Sequence, residues 1–183
     1  VMPGAERISG SMRAMFKRLM CGAIGVLGFR IALAVSPLNY TAPEFLDGPI
    51  VANSMLGTTY AYRARDIYEP TSLQITVVRL PKAALSAGEF SADHCIGLFL
   101  TEVARDQADF FAVPSEYPLE AGRLRLRQVR WTRKDQANGM TGVTSCGLDE
   151  DRYVSINFED TLNRAMNTFP AIRKSLKSLE LDP

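Results

Sequence analysis

Three extended segments, joined only by short turns, constrain the fold of this chain more than any other feature. They span residues 123–133, 140–148 and 152–158. Asn138-Gly139 lies between the first two, and residues 147–151 lie between the second and the third; both connections are rich in residues that tight turns prefer. Neighbouring strands that are joined by short turns run antiparallel. This half of the chain therefore predicts an antiparallel sheet.

The segments before it predict one more hairpin and a helix. Residues 55–65 and 73–80 are rich in Thr, Tyr, Val and Ile, which suits strands, and residues 66–72 connect them. Ser91 is a good N-cap, and after it apolar residues recur at about 3.6-residue spacing. That spacing predicts a helix that ends before Pro114.

A second helix is predicted at the end of the chain. Asp160 is its expected cap, and Pro170 is expected to divide or kink it. Its apolar stripe consists of Leu162, Ala165, Met166, Phe169, Ile172, Leu176 and Leu179. Each helix must bury its apolar stripe on a face of the sheet. The order of elements therefore predicts an α+β fold, in which an antiparallel β-sheet carries helices packed on its faces as an α/β/α sandwich.

The N-terminal part of the chain has the pattern of an export signal. Two basic residues precede an apolar run at 19–29, and Ala32-Leu33-Ala34 offers a small-x-small cleavage site. We therefore expect upstream residues and a signal peptide at 1–34, an extended linker with three prolines at 35–49, and a single α+β domain at 50–183. The alternative is a retained membrane anchor, in which case the membrane is contacted only through this uncleaved segment.

Export predicts a periplasmic or secreted location and an oxidising surrounding. Cys95 and Cys146 are then predicted to form a disulfide, the alternative being two buried, unpaired thiols. Without residues 1–34 the chain has 16 basic and 19 acidic residues, and a net charge of −3. A mildly acidic domain lacks the general attraction for phosphate backbones, so no nucleic-acid partner is expected.

Two segments near the end of the chain carry a family resemblance. They are the strand Tyr153-Val154-Ser155-Ile156-Asn157-Phe158, with the helix that follows it, and the ending at 172–179. In these segments the chain resembles the PsbP-like superfamily, which includes the photosystem II extrinsic protein PsbP, the Ran-binding Mog family and bacterial envelope proteins of the DcrB kind. The resemblance covers residues 45–181. It implies an accessory or binding module rather than an enzyme, and it carries over no catalytic residue.

The basic segment at 123–134 is the best candidate for a binding surface. Its candidate binding residues are Arg123, Arg125, Arg127, Arg130, Trp131 and Arg133. Alternate residues of a strand share one face, so the first three arginines form a row. Trp131 has the parity of that row, which predicts a bulge or crossing near Gln128. Such a surface suits an envelope protein or an anionic envelope component. The alternative is that these arginines pair with acids on neighbouring strands.

No catalytic residue, metal site or cofactor is predicted. His94 is the sole histidine, and Asp93, His94 and Cys95 point about 100° apart on a helix, so they cannot easily converge as a nucleophile relay. The acids at 149–151 suit a hard cation, but their spacing matches no EF-hand loop. We therefore expect an exported, non-catalytic accessory domain. The alternative is a small carboxylate- or metal-dependent hydrolase of the envelope whose acids meet only in three dimensions.

Overall fold

The computed structural model describes residues 38–54, 57–80, 91–105, 109–134 and 139–181. The predicted signal peptide lies outside these ranges. Neither helix within them is long and apolar enough to cross a bilayer.

The described residues contain an eight-stranded antiparallel sheet and a separate two-stranded sheet formed by the first and last strands. The strands are β1 (Leu38–Asn39), β2 (Leu46–Asn53), β3 (Gly57–Ala64), β4 (Ser72–Arg79), β5 (Phe111–Pro114), β6 (Leu119–Ala121), β7 (Leu124–Arg133), β8 (Met140–Asp149), β9 (Arg152–Thr161) and β10 (Glu180–Leu181). Along the sheet the order is β2-β3-β4-β9-β8-β7-β5, and β6 also pairs with β7. Every pair is antiparallel, as the short turns predict.

The first helix, α1 (Ala92–Ala104), begins where the sequence predicts it. The Ser91 hydroxyl accepts a hydrogen bond from the backbone N–H of His94 at 3.1 Å. The expected extension of this helix to Pro114 is wrong, because Phe111–Pro114 form β5 instead. Their backbone groups pair with β7, and this tertiary pairing overrides the helical spacing of the apolar residues.

The second helix, α2 (Leu162–Leu176), is continuous. Thr161 is its N-cap, and the Asp160 carboxylate accepts a hydrogen bond from the Thr161 N–H at 2.7 Å. Pro170 lies inside the helix without dividing it. The carbonyl that loses its donor belongs to Met166, whose side chain is 79% exposed, so water can replace the missing bond.

Each face of the sheet has its own core beneath one helix. The core under α2 is the larger, and it includes Leu73, Ile75, Leu124, Leu126, Val154, Ile156, Phe158, Phe169, Ile172 and Leu176. The core under α1 consists of Leu80, Ile96, Val129, Cys146 and Tyr153. Because alternate strand residues point to opposite faces, one strand contributes to both cores. The predicted sandwich of helix, sheet and helix is confirmed.

A disulfide joins α1 to the sheet. Cys95 of α1 and Cys146 of β8 are bonded, with their Cα atoms 6.4 Å apart. The predicted pairing is confirmed. The bridge holds the shorter of the two helices against its smaller core.

Residues 38–49 belong to the domain, and the predicted domain boundary needs correction. β1 pairs with β10, and Leu46 is 4% exposed within the α2 core. The Tyr40 ring meets the Tyr62 ring edge-on at 5.2 Å, and the Tyr40 hydroxyl hydrogen-bonds to Ser175 Oγ at 2.7 Å. The segment is extended, as its prolines indicate, but its apolar side chains are anchored in the core.

Candidate anion-binding pocket

The basic residues of β7 are distributed over both faces of the sheet. Arg127 lies on the α1 face, and Arg130 lies on the face that carries α2, as strand alternation requires. The predicted bulge near Gln128 is absent, since the β7–β8 register runs without a shift from Arg127 to Arg133. Instead, the α1 face of β7 is exposed at Arg125 and Arg127 and buried at Val129 and Trp131, where α1 and β5 lie against the strand.

Two arginines of the predicted surface pair with acids. Arg123 Nη2 lies 3.1 Å from Asp149 Oδ2, and Arg127 Nε lies 2.8 Å from Asp93 Oδ1. Both arginine side chains are more than half exposed, so each pair contributes only about 0–1 kcal/mol. For these two residues the structure matches the alternative role that the sequence left open.

Trp131 is a core residue, and its expected place on an exposed surface is wrong. Its side chain is 2% exposed, and Nε1 donates a hydrogen bond to Thr144 Oγ1 at 3.2 Å. The ring lies across Gly142, where a Cβ atom would approach it to 2.2 Å. The Arg133 guanidinium is 5.5 Å from the ring centre. Both Trp131 and Arg133 are thus engaged within the domain.

The two remaining arginines adjoin a surface pocket. Arg125 and Arg130 are exposed, and neither forms an ion pair with a carboxylate in the part of the chain that the structure describes. The pocket has a volume of about 310 Å³ and is lined by Tyr117, Pro118, Leu119, Glu120, Arg125, Arg173 and Lys177. Glu120 lies opposite Arg125 in the β6–β7 register. Three cations against one carboxylate give the lining a net positive charge.

Arg173 is held in position from two sides. Its Nη2 donates a hydrogen bond to Gln128 Oε1 at 2.9 Å, and its guanidinium lies 5.7 Å from the centre of the Phe158 ring. Gln128 is itself fixed, because its Nε2 donates to the Tyr117 carbonyl at 2.7 Å and to Ser115 Oγ at 3.2 Å. A guanidinium fixed in this way loses little conformational entropy when it binds a carboxylate or phosphate.

The neighbourhood of Arg173 is electrostatically unfavourable for a cation. Burial lowers the pKa of its guanidinium, and the charge of Arg130 lowers it further. Arginine nevertheless stays charged at any ordinary pH. Arg173 of the pocket therefore lies close enough to Arg130 for the two like charges to repel each other.

Sequence reasoning found Arg125 but missed Arg173, Lys177 and Gln128. Arg173 and Lys177 are four residues apart, which places them on one face of a helix, and this spacing is the signal that was available. Nothing local indicates that the end of α2 lies beside β6 and β7. That proximity arises from packing of the apolar stripe of α2 on the sheet.

The groups considered for catalysis are engaged elsewhere. Cys95 is in the disulfide, so it has no thiol to act as a nucleophile. Asp149 accepts hydrogen bonds from Arg123 and Arg152, and Asp151 lies 3.5 Å from Arg79 Nε. Within the ranges that the structure describes, no three His, Cys, Asp or Glu side chains converge as a metal site.

Comparisons with known proteins concern the fold. No protein-family model matches the sequence, and no curated protein does. Similar solved structures include LpqN, involved in cell envelope biogenesis of Mycobacterium tuberculosis, at 10% identity, with 80% of this chain and 83% of that chain covered and a TM-score of 0.49. They also include the cyanobacterial PsbP (CyanoP) of Synechocystis sp. PCC 6803, at 13% identity, with 87% and 98% covered and a TM-score of 0.46.

Proposed function

We propose that this protein is an exported, non-catalytic accessory domain that binds an anionic component or acidic protein of the cell envelope. Its binding site is the pocket between β6, β7 and α2. The observation that carries this proposal is the pocket lining, in which Arg125, Arg173 and Lys177 face a single carboxylate, Glu120, and Arg173 is fixed by Gln128. Arg123 and Arg127, by contrast, are matched with the acids Asp149 and Asp93.

Export is supported by the Cys95–Cys146 bridge and by the signal-like pattern at 17–34. Disulfides persist in the periplasm and outside the cell, where thiols are not kept reduced. Mass measurement of the protein recovered from the envelope tests this point. A mature chain that starts at Val35 and carries no free thiol is expected. A chain that keeps residues 1–34, or that has both thiols reduced, would contradict export with cleavage.

Absence of catalysis is supported by the arrangement of the acids in the core strands. Glu159 and Asp160 are consecutive in β9 and point to opposite faces of the sheet, so they cannot act as a pair on one substrate. Asp160 is fully buried and bound by threonine hydroxyls, which gives it a structural role. The hydrolase alternative requires converging acids, and these two do not converge.

The pocket can be tested by titrating the ¹⁵N-labelled protein with inorganic phosphate and following amide shifts by NMR. Shifts are expected at Tyr117, Leu119, Glu120 and around Arg173, and Arg173→Gln should abolish them. Arg127→Gln is the matched control, because Arg127 is equally basic but pairs with Asp93 outside the pocket. Shifts that persist in Arg173→Gln, or that centre on Arg127, would refute the assignment of the pocket.

A further inference from the structure

Exposed apolar side chains surround the basic pocket. Phe111, Val113 and Tyr117 are 66%, 46% and 76% exposed. Val113 lies opposite Arg130 in the β5–β7 register, and Phe111 lies opposite Thr132. Tyr117 lines the pocket itself. Apolar and cationic groups are therefore interleaved along this edge of the sheet.

α2 extends the same surface. Residues three and four apart share a helix face, so Met166 and Pro170 lie in line with Arg173 and Lys177. Because Arg173 points to Gln128 of β7, this face of α2 is directed at the same edge. Met166 is 79% exposed. We call the whole the β5–α2 edge, and define it by Phe111, Val113, Tyr117, Arg125, Arg130, Met166, Arg173 and Lys177.

The chemistry of the β5–α2 edge disfavours strand addition by an extended peptide. β5 has four residues and ends in Pro114, which has no backbone N–H. Short edge strands that contain proline are poor templates for pairing. The exposed apolar side chains of the edge also alternate with cations, as Val113 does with Arg130, unlike the apolar core of a stable protein interface.

We propose that the β5–α2 edge docks on the surface of an anionic lipid bilayer. This inference rests on the proposed anion pocket, and it identifies the anion as a lipid phosphate group. Separate protruding aromatic and aliphatic side chains suit a fluid bilayer, which closes around each of them without a matching partner surface. Tyrosine favours the level of the headgroups. The cations supply attraction to an anionic leaflet.

Vesicle flotation of the intact exported protein tests the inference. We expect binding to vesicles that contain phosphatidylglycerol, none to pure phosphatidylcholine, and loss of binding at high salt. Arg125→Gln with Arg130→Gln should reduce the partition coefficient about fivefold for each cation, or about 25-fold together. Arg127→Gln should stay within about twofold of the parent protein, because the Arg127 charge is already paired with Asp93.

Insertion is tested separately with Phe111→Ser and Met166→Ser, two exposed positions outside the pocket lining, which should weaken binding to anionic vesicles and leave the phosphate titration unchanged. Absence of vesicle binding together with intact phosphate shifts would overturn the lipid inference and leave the proposed pocket standing. Loss of both would overturn both. Vesicle binding that the two serine substitutions do not alter would also overturn the inference, because an acidic protein then becomes the better occupant. Circular dichroism of each variant verifies the fold, which these exposed positions should not affect.

Discussion

Replacement of Asp160 by alanine should destabilise the domain strongly. The Asp160 side chain is 0% exposed. Its Oδ2 accepts hydrogen bonds from the hydroxyls of Thr71 and Thr168, each at 2.8 Å, and its Oδ1 lies 3.4 Å from Arg164 Nε. Thr71 precedes β4, whereas Thr168 and Arg164 belong to α2. One carboxylate therefore ties the start of the helix to the middle of the sheet.

The size of the effect follows from what its partners lose. A hydrogen bond to a charged acceptor contributes about 1.5–3 kcal/mol. The Thr168 hydroxyl keeps a second acceptor, the Arg164 carbonyl at 3.2 Å, so its loss is partial. Among the described residues, the Thr71 hydroxyl has no other partner, and Thr71 is 1% exposed. We expect Asp160→Ala to lower the free energy of unfolding by about 2–4 kcal/mol, from the loss of one full and one partial hydrogen bond to a charged acceptor.

Urea unfolding followed by circular dichroism measures this loss. The matched control is Asp151→Ala, which removes a carboxylate that pairs with Arg79 where both side chains are 46–60% exposed. The control should lose about 0–1 kcal/mol. Thr71→Val should lose part of the Asp160 effect, and the double variant should lose less than the sum of the two single ones. If Asp160→Ala costs no more than Asp151→Ala, the reasoning is refuted.

Three further outcomes are expected. Replacing Cys95 and Cys146 with serine should lower the free energy of unfolding by about 4 kcal/mol in the loop-entropy model. Reductant should then have no effect on the stability of the variant. A parent protein whose stability is insensitive to reductant would argue against the bridge. Gly142→Ala should cost about 1–3 kcal/mol by crowding the buried indole, whereas Gly97→Ala, with open space around it, should gain up to about 1 kcal/mol, and equal thermal shifts would contradict this. Burial raises the pKa of Glu159, so ionisation of this carboxyl destabilises the folded state. Glu159→Gln should therefore be more stable than the parent protein at neutral pH. The difference in the free energy of unfolding should decrease as pH falls through the folded pKa.

Local patterns were sufficient for β3, β4 and the β7–β8–β9 meander, and for the position of each helix start, but not for β2, β5 and β6. The β7–β8–β9 meander follows from β-branched strands and tight turns, which are encoded by adjacent residues. Helix ends and domain limits depend on distant partners instead. β5 forms only because β7 is beside it, and residues 38–49 join the domain because Tyr62 and Ser175 receive Tyr40. No periodicity within these segments contains that information.

The same dependence on distant contacts explains why the predicted basic surface differs from the one in the structure. Strand parity correctly separated the arginines from Leu124 and Leu126. It gave no sign that α1 and β5 would cover the far end of the face, so Trp131 was expected at the surface and is buried instead. Which face of a strand is exposed to solvent depends on where the helices pack, and helix packing is a property of the whole sandwich.

Pairing, rather than the number of basic residues, decides where this domain is electropositive. Arg123 and Arg127 are matched by acids that come from the β8–β9 end and from α1, whereas Arg125 and Arg130 gain Arg173 and Lys177 from a helix that follows them in sequence. Since charges are screened over about 8 Å at physiological ionic strength, a headgroup at the proposed site would sense the three cations and Glu120 of the pocket more than the acids beside Arg123 and Arg127. A domain with a mildly negative net charge can therefore present a positive edge to an anionic membrane.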